Sequence, residues 1–377
     1  MQLRCQQDQL HRGLSAVSRA VPARTVLPIT GHVLLEAEDG RVKLSATDAE
    51  TIAITYTIPA TVAQPGAITL PSRLLSDFVA TLPRDEIEIA LAERSRQASL
   101  SCARNAASIG GMDPDEFPPI PPVQGTGAVQ VDPERLRTAL EHVVFAAATD
   151  DSRPVLTGVH FAVGPESIRL AAADGFRLAV YTLELSQSGL ERDVIVPARA
   201  LAELARLLPE AEQPVTMTVN TAQTQVLFDL GHATLIANLI QGTFPNYQQL
   251  IPASSTTRSE VSVGEFKQAV RLASIFARDG SGIVRLIASP GVGGQPGKLM
   301  VTARADEVGN NEAEIDALVV GDEAKIAFNS RYLIEVLNVL TTDRVATETT
   351  SPSSPGVVRP VGDDRYVHVV MPMFVQW

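Results

Sequence analysis

Apolar side chains recur every four and three residues in six stretches of the chain, which is the spacing of one face of an amphipathic helix. The stretches form two series of three. The first series places apolar residues at Leu10, Leu14, Val17 and Val21, at Leu136, Leu140, Val143 and Ala147, and at Phe266, Val270, Ala273 and Ala277. The second places them at Leu75, Val79 and Leu82, at Leu201, Ala205 and Leu208, and at Leu333, Leu337 and Leu340. We therefore predict helices over residues 7–20, 71–82, 133–148, 197–208, 263–278 and 329–340.

The helices of the second series begin with the similar tripeptides "PSR", "PAR" and "NSR". Pro71 and Pro197 suit the first turn of a helix, where no backbone donor is needed, and Asn329 suits an N-cap. This agreement in residue type and position indicates that the chain repeats one fold three times.

Short strands are predicted between and after the helices. The stretches "RVKLSA", "ESIRLAAA" and "GKLMVTA" each lead to a turn, and "DEIEIAL", "PVTMTVN" and "AKIAF" alternate with the period of two that is typical of strands. Asp39-Gly40 marks a hairpin turn. Each repeat thus contains helix, strands, helix and strands over about 125 residues, which favours an α+β fold with antiparallel sheets.

Two joins separate the repeats. Residues 114–127 and 244–257 are rich in Pro, Gly, Ser and Thr, as linkers are. We therefore predict three domains, over residues 1–125, 126–253 and 254–377. The glycine-rich stretch 289–298 is predicted to be an enlarged hairpin loop within the third domain.

An acidic residue interrupts the apolar run "AAADGFRLAV" at Asp174, and the related run "SATDAETIAI" has Asp48 at the matching place. Asp and Gly favour turns, so we interpret Asp174-Gly175 as a turn between strands. Asp48-Ala49 takes the same place in the first repeat and Arg304-Ala305 in the third. A catalytic role for the aspartate would have to survive its loss in one copy, which argues against such a role.

The composition is that of ordinary globular domains, with 45% hydrophobic and 20% charged residues among 377. Two cysteines, Cys5 and Cys102, are too few for a disulfide framework, which favours a reducing compartment. The N-terminal stretch lacks the apolar core of a signal peptide, and no apolar run is long enough to span a membrane. A soluble, cytoplasmic protein is predicted.

The sequence contains no motif typical of a catalytic or metal centre. The six histidines are scattered singly, and the acidic stretch 305–316 has the character of a solvated loop. The glycine-rich loop has Val292 where a P-loop needs glycine, and Leu299 where it needs a hydroxyl residue. We predict no catalytic residue, no metal and no cofactor.

The charges are divided unevenly between helices and strands. The net charge is −12, yet the six predicted helices contain 11 Lys and Arg against 7 Asp and Glu, whereas the rest of the chain contains 20 against 36. A positive set of helices beside negative sheets would suit a polyanion that passes the helices.

Several segments resemble the bacterial DNA polymerase III β subunits, the sliding clamps, in the order in which that family has them. They are "RTVLPITGHVLLEAEDGRVKLSATDAE", "GVHFAVGPESIRLAAADGFRLAVYT", "VIVPARALAELARLL", "GTFPNYQQLIP", "FNSRYLIEVLNVL" and "YVHVVMPMF". The resemblance covers the whole chain. It implies three clamp domains, with two helices from each lining a pore and antiparallel sheets outside. It also implies a head-to-tail homodimeric ring that encircles duplex DNA and performs no chemistry.

The same resemblance implies partners and contact residues. The expected partners are double-stranded DNA of any sequence, the catalytic subunit of polymerase III, an ATP-driven clamp loader, and other proteins with clamp-binding motifs (repair polymerases, mismatch-repair proteins and ligase). The expected phosphate contacts are Arg24, Arg73, Arg137, Arg199, Lys267, Arg271 and Arg331. The dimer is expected to join the strand near "QASLSCARNA" to a helix end at Ile275 and Phe276.

The family also has a pocket for partner peptides, closed by the C-terminal tail. The matching positions are Leu156, Thr157, Gly175, Phe176, Arg177, Leu178, Pro245, Leu250, Ser353, Pro355, Val369, Val370, Met371, Pro372 and Met373. Three positions depart from the family pattern: Phe176 stands where many members have histidine, Gln249 where arginine is common, and Phe374 where a basic residue often follows. These departures bear on which peptide is preferred.

Two other functions are open to the sequence. An enzyme acting on nucleic acid is disfavoured, because no cluster of carboxylates or metal ligands is visible. A specialised clamp paralogue for DNA repair or recombination is not distinguished from a replicative clamp.

Overall fold

A computed structural model describes residues 1–24, 27–91, 96–125, 127–186, 191–277, 282–293, 295–305 and 309–377. The chain forms two compact units, one of residues 1–137 and 185–240, the other of residues 138–184 and 241–377. The helices of the described residues are α1 (Gln7–Val17), α2 (Ser72–Thr81), α3 (Pro133–Val143), α4 (Ala198–Leu207), α5 (Val263–Ala277) and α6 (Ser330–Val339). None of them is long and apolar enough to cross a membrane.

The six predicted helices are confirmed, with corrected ends. The helices α1 and α3 stop earlier than predicted, and a 3₁₀ turn continues each of them, over Ser18–Ala20 and Val144–Ala146. The Asn329 side chain caps α6 by accepting a hydrogen bond from the Arg331 backbone N–H at 2.9 Å. Pro71 and Pro197 lie at the N-caps of α2 and α4, one residue before the first turn.

The predicted apolar faces form the core. In α1, Leu10, Leu14 and Val17 have no exposed surface. The pattern shifts in α4, where Leu204 is fully buried and Ala205 is only half-buried. The periodicity therefore identified the buried face of each helix, to within one residue in α4.

The strands lie between and after the helices. In the first part of the chain they are β1 (Gln2–Gln6), β2 (His32–Glu38), β3 (Arg41–Thr47), β4 (Ile52–Pro59), β5 (Thr61–Gln64), β6 (Gly66–Pro71), β7 (Glu86–Leu91), β8 (Gln97–Cys102) and β9 (Asn105–Gly110). The middle part contains β10 (Val129–Val131), β11 (Gly158–Val163), β12 (Ser167–Ala173), β13 (Arg177–Glu184), β14 (Arg192–Pro197), β15 (Val215–Val219), β16 (Gln225–Asp229) and β17 (Ala233–Asn238). The last part contains β18 (Thr257–Ser262), β19 (Ile283–Ser289), β20 (Gly297–Ala305), β21 (Gly309–Gly321), β22 (Ala324–Asn329), β23 (Arg344–Thr349), β24 (Gly356–Pro360) and β25 (Tyr366–Val370).

Antiparallel sheets connect these strands within each unit. The first unit has one sheet in the order β5-β1-β7-β8-β9 and a second in the order β10-β15-β16-β17-β4-β3-β2-β6. In the second unit the strands follow the order β11-β12-β13-β25-β24-β23-β18-β21-β20-β19-β22. The predicted α+β architecture with antiparallel sheets is confirmed.

The sheets continue from one repeat into the next by the same rule. The last strand of the second repeat, β17, pairs with β4 of the first repeat, between Ala233–Ala237 and Ile52–Tyr56. The last strand of the third repeat, β25, pairs in the same way with β13 of the second. Two strands in equivalent positions have no such neighbour among the described residues. They are β9, which ends its sheet, and residues 309–316 of β21, which pair with β20 alone.

The three alternating stretches are confirmed as strands, but they do not occupy equivalent positions in their repeats. The stretch "AKIAF" forms β22, which precedes α6, whereas "DEIEIAL" and "PVTMTVN" form β7 and β15, which follow α2 and α4. The equivalent of those two strands in the third repeat is β23. Alternation identifies a strand, but it does not say which strand of the repeat it is.

The predicted turns are confirmed in the first two repeats. Asp39 and Gly40 both have positive φ, 48° and 75°, between β2 and β3, as a type I′ hairpin requires. In the third repeat the prediction was wrong, because Arg304 and Ala305 belong to β20 and pair with β21. Residues 306–308, between β20 and β21, lie outside the described residues.

Candidate functional site

The turn between β12 and β13 is built by one aspartate and one arginine. The Asp174 carboxylate accepts backbone hydrogen bonds from Phe176 at 2.8 Å and Arg177 at 3.0 Å. Gly175 has φ +92°, and a side chain there would meet the Arg153 guanidinium, whose Nη1 lies 2.7 Å from the position of a Cβ. The positive φ therefore favours glycine here, although the equivalent turn of the first repeat has Ala49 at φ 65°. The turn leaves the Phe176 ring 59% exposed.

Arg177 lies beneath this turn, with its side chain only 4% exposed. Its Nε donates to the Asp174 carboxylate at 3.0 Å, its Nη2 donates to the Phe145 carbonyl at 2.6 Å, and its Nη1 donates to the Glu335 carboxylate. The guanidinium also lies 4.7 Å from the centre of the Tyr332 ring. A buried arginine needs such partners, because an unpaired buried charge is costly. It thereby fixes the turn to helix α6.

Helix α6 contributes three neighbouring side chains to this region. The Tyr332 ring stacks on Phe176, with ring centres 6.5 Å apart and planes inclined by 19°. The Glu335 carboxylate accepts from Arg177 with one oxygen and from the Nε of Arg331 with the other, at 2.8 Å. The hydrogen bond to Glu335 raises the pKa of Arg331 above its usual range. One carboxylate is thus shared between a buried and an exposed arginine.

The C-terminal tail leaves strand β25 beside the same turn. Residues Arg177 and Leu178 pair with Val370 and Val369, and the Met371 backbone N–H donates to the Phe176 carbonyl at 2.8 Å. The Met371 side chain is 39% exposed. Two exposed apolar residues, Phe176 of the turn and Met371 of the tail, are therefore joined by a backbone hydrogen bond.

A largely buried cluster supports this surface. His368 has no exposed surface, its Nδ1 lies 3.1 Å from the Tyr366 hydroxyl, and its ring stacks on Phe145 at 5.6 Å. Burial, with a smaller effect of the nearby Arg177 charge, lowers the pKa of His368 to about 3. The imidazole is therefore neutral at physiological pH.

The fifteen predicted pocket residues separate into three groups by exposure. Buried residues are Leu156, Arg177, Leu178, Val369 and Val370; half-buried residues are Thr157, Pro355, Pro372 and Met373; exposed residues are Gly175, Phe176, Pro245, Leu250, Ser353 and Met371. Pro245 and Leu250 lie on a separate segment, which is held by the stacking of Phe244 on His160 at 5.3 Å. The buried residues can support a ligand but cannot touch it without a rearrangement.

Sequence reasoning missed the residues that hold the turn from outside it. Tyr332 and Glu335 lie on a helix that the sequence identified, and Arg153 precedes a predicted pocket residue by three positions. Glu335 is 158 residues from Arg177. Periodicity carries no signal for contacts over such a separation.

The seven predicted phosphate contacts all lie among the described residues. Lys267 is half-buried, and the six arginines are exposed. Several are already paired: Arg73 lies 3.9 Å from Asp77, Arg199 lies 3.1 Å from Asp48, and Arg331 binds Glu335. The Arg271 guanidinium donates to the Asn338 side chain at 3.0 Å. Local acidic partners therefore compensate part of the positive charge that the helices contain.

The residues predicted at the dimer interface differ in exposure. On α5, Ile275 is 55% exposed and Leu272 44% exposed, whereas Phe276 is half-buried. The stretch "QASLSCARNA" covers β8 and the start of β9. Among the described residues β8 lies between β7 and β9, so of these two strands β9 is the one at the edge of the sheet.

The chemistry of the described residues gives no candidate for catalysis. No group of three or more His, Cys, Asp and Glu among them is placed to hold a metal ion. Burial raises the pKa of the Cys5 thiol to about 12, and burial also raises that of Cys102. Both thiols are buried and unreactive.

Three family models match successive parts of the chain. They describe the N-terminal, central and C-terminal domains of the DNA polymerase III beta subunit, over residues 1–121, 130–246 and 248–374. A beta sliding clamp from Synechococcus elongatus is 34% identical over 376 residues, with 99% of each chain covered. One from Staphylococcus aureus is 30% identical over 383 residues, with the same coverage.

Solved structures agree along the whole chain. The crystal structure of a DNA polymerase sliding clamp from Bacillus subtilis has a TM-score of 0.92 and 28% identity and covers 100% of both chains. A sliding clamp from Pseudomonas aeruginosa bound to griselimycin gives 0.92 and 28% with the same coverage. Three repeats, antiparallel sheets and matches of this length leave one assignment: the chain belongs to the DNA polymerase III beta subunits, the family of the beta sliding clamps.

Proposed function

We propose that this protein is the processivity clamp of DNA replication, a head-to-tail dimeric ring that encircles duplex DNA and tethers the polymerase without catalysing a reaction. The observation that supports it most directly is the rule by which the sheets continue. Among the described residues, that rule leaves β9 and residues 309–316 of β21 as unpaired edges. Pairing of β21 in one copy with β9 in another would have the same form as the β4–β17 and β13–β25 pairings within the chain. It would leave neither strand as an unpaired edge.

The side chains at these edges suit that pairing. Exposed Glu312 and Asp316 on β21 would meet a basic neighbour in the exposed Arg104, which lies in the turn before β9. The exposed Ile275 and Leu272 of α5 would be covered in the same interface, together with an exposed apolar residue of α2, Leu74. A surface of this kind favours assembly over a free monomer.

The DNA contacts proposed for the ring are Arg24, Arg73, Arg137, Arg199, Lys267, Arg271 and Arg331. Arginine and lysine bind phosphate oxygens without reading bases, so the protein would bind every sequence alike and could slide. The pairing of Arg73, Arg199 and Arg331 with acidic side chains supports a weak contact at those positions. Weak contacts suit a protein that closure of a ring, rather than affinity, keeps on DNA.

The exposed surface of Phe176, Met371 and the neighbouring tail is proposed to bind a short apolar peptide of the polymerase catalytic subunit. Partly exposed aromatic and methionine side chains adapt well to such ligands. The clamp loader, repair polymerases, mismatch-repair proteins and ligase would use the same surface. This role places the protein in the cytoplasm, and the domain limits 1–125, 126–253 and 254–377 remain part of the proposal.

The experiment is a test of topological retention. The protein is loaded onto a nicked circular plasmid with a bacterial clamp loader and ATP, freed of unbound protein by gel filtration, and treated with a nuclease that cuts the plasmid once. We expect it to elute with the circle and to leave the linear DNA. Retention on linear DNA would contradict the ring, and absence from the circle would contradict the clamp function.

A further inference from the structure

Helix α6 connects the proposed peptide surface to a proposed DNA contact through one carboxylate. Glu335 accepts hydrogen bonds from Arg177, which is 4% exposed and holds the turn of Phe176, and from Arg331, which is 70% exposed. All of these residues lie in the second unit. We propose that Glu335 couples the two sites, so that a DNA phosphate bound at Arg331 strengthens peptide binding at Phe176. This coupling rests on the proposed function.

The first step of the coupling is competition at Arg331. The Nε of this guanidinium donates to Glu335 at 2.8 Å. A phosphate oxygen is a strong acceptor for arginine and would take over this donor. Since the Arg331 side chain is largely exposed, it can turn towards a phosphate without disturbing the core.

The second step is the redistribution of the Glu335 charge. Its side chain is 27% exposed, and its remaining partner would be the buried Arg177. Charge-assisted hydrogen bonds strengthen where water is scarce, so a carboxylate released from Arg331 would bind Arg177 more tightly.

The third step is the ordering of the peptide surface. Arg177 binds the Asp174 carboxylate at 3.0 Å, and that carboxylate holds the backbone N–H of Phe176 at 2.8 Å. The Phe176 ring stacks on Tyr332, which also belongs to α6. A firmer Arg177–Glu335 pair would therefore fix the exposed ring in one position, and a preorganised surface binds its ligand more tightly.

Coupling between two binding equilibria is reciprocal. The affinity for a fluorescein-labelled peptide from the C-terminal tail of a polymerase III catalytic subunit is measured by anisotropy, with and without saturating short duplex DNA at low salt. The affinity for the duplex is measured with and without the peptide. We expect each ligand to raise the affinity for the other by about five-fold, which is the lower end of typical allosteric couplings.

Two variants test the carboxylate itself. Glu335→Gln should bind both ligands with affinities that no longer depend on each other. Arg331→Ala should bind the peptide without DNA as tightly as the wild-type protein does with DNA, because Glu335 is then free to serve Arg177. A merely structural role for Glu335 would not produce a gain of affinity on removal of an exposed arginine.

The matched control is Asp77→Asn. Asp77 faces Arg73 on α2 with the same spacing of four residues, at 3.9 Å, but its side chain is 76% exposed. This pair belongs to the first unit, whereas the turn of Phe176 belongs to the second. This variant should keep the wild-type coupling. Wild-type affinities that are independent of each other, or an Arg331→Ala protein without the gain, would overturn the coupling while the clamp function stands. A wild-type protein that binds neither ligand would overturn both.

Discussion

The exposed ring of Phe176 allows a quantitative prediction for peptide binding. A phenylalanine side chain buries about 200 Å² when fully covered, so a ring that is 59% exposed offers about 120 Å² to a ligand. Complete coverage would contribute about 3 kcal/mol at about 25 cal/mol per Å². A peptide that covers two thirds of it gains about 2 kcal/mol. Phe176→Ala should therefore raise the Kd about 30-fold.

Leu178, two residues further along the chain and inside strand β13, provides the contrast. It is 1% exposed, so Leu178→Ala leaves a cavity and should cost about 2–5 kcal/mol of stability. The resemblance implied that both residues belong to one pocket. In the structure only Phe176 is exposed enough to touch a ligand, whereas Leu178 is buried beneath the surface. Phe176→Ala should change affinity and leave thermal unfolding nearly unchanged. Leu178→Ala should act mainly on stability, by lowering the unfolding temperature.

The assay is anisotropy titration of the labelled polymerase peptide, with thermal unfolding of each variant measured in parallel. Leu318→Ala serves as the control, because Leu318 is 56% exposed and lies on β21, outside the proposed surface. Its affinity should equal that of the wild-type protein. If Phe176→Ala and Leu318→Ala bind the peptide equally well, the ring is not a contact and the reasoning from exposed area fails.

Three further predictions concern assembly, DNA and pH. Ile275→Asp should place a charge in the proposed interface and give monomers in sedimentation; a stable dimer would show that the interface lies elsewhere. Lys267→Ala with Arg271→Ala should weaken binding of every duplex alike and reduce the slope of log K against log salt by about one for each basic residue removed; a changed sequence preference would indicate base reading. Burial lowers the pKa of His368 to about 3, against an ordinary value of 6.5. Below pH 6.5 the unfolded strand therefore binds a proton that the folded strand does not, so the folded state loses stability as the pH falls. Between pH 7.5 and 5, the opening free energy of β25, measured by hydrogen exchange, should fall about 2 kcal/mol more in the wild-type protein than in His368→Gln; equal falls would contradict the buried neutral state.

Local sequence patterns predicted the helices, strands and turns correctly in most places, because these elements depend on residues that are neighbours in the chain. The spacing of Leu10, Leu14 and Val17 reports a face of one helix, and that face is buried whatever lies against it. Asp39-Gly40 reports a turn for the same reason. The error at Arg304-Ala305 arose because the aspartate of the third repeat, Asp306, stands two residues later than the alignment with the other repeats places it, so the alignment put the turn inside the strand.

The sequence predicted which residues belong to the candidate site, but it did not predict the contacts among them. Its residues were identified by resemblance, and that comparison does not say which side chains are exposed. The decisive contact joins Arg177 to Glu335 across 158 residues. Burial of an arginine cannot be deduced from its own neighbours, because it depends on the acids that other elements bring to it.

The two equivalent aspartates show how one repeated turn acquires different tasks. Asp48 accepts from the backbone N–H groups of Thr51 and Ile52 at 2.7 and 2.9 Å, and its second oxygen binds an arginine of α4, Arg199, at 3.1 Å. Asp174 also caps its own turn, but its second oxygen binds the buried Arg177. The fold therefore requires only the first oxygen of each carboxylate. The second oxygen can bind a different arginine in each repeat. In the second repeat this arginine, Arg177, also donates to Glu335, which accepts in turn from the exposed Arg331 on α6. The geometry of the turn is thus kept in both repeats, while the arginine bound by the second oxygen differs: Arg199 for Asp48 and Arg177 for Asp174.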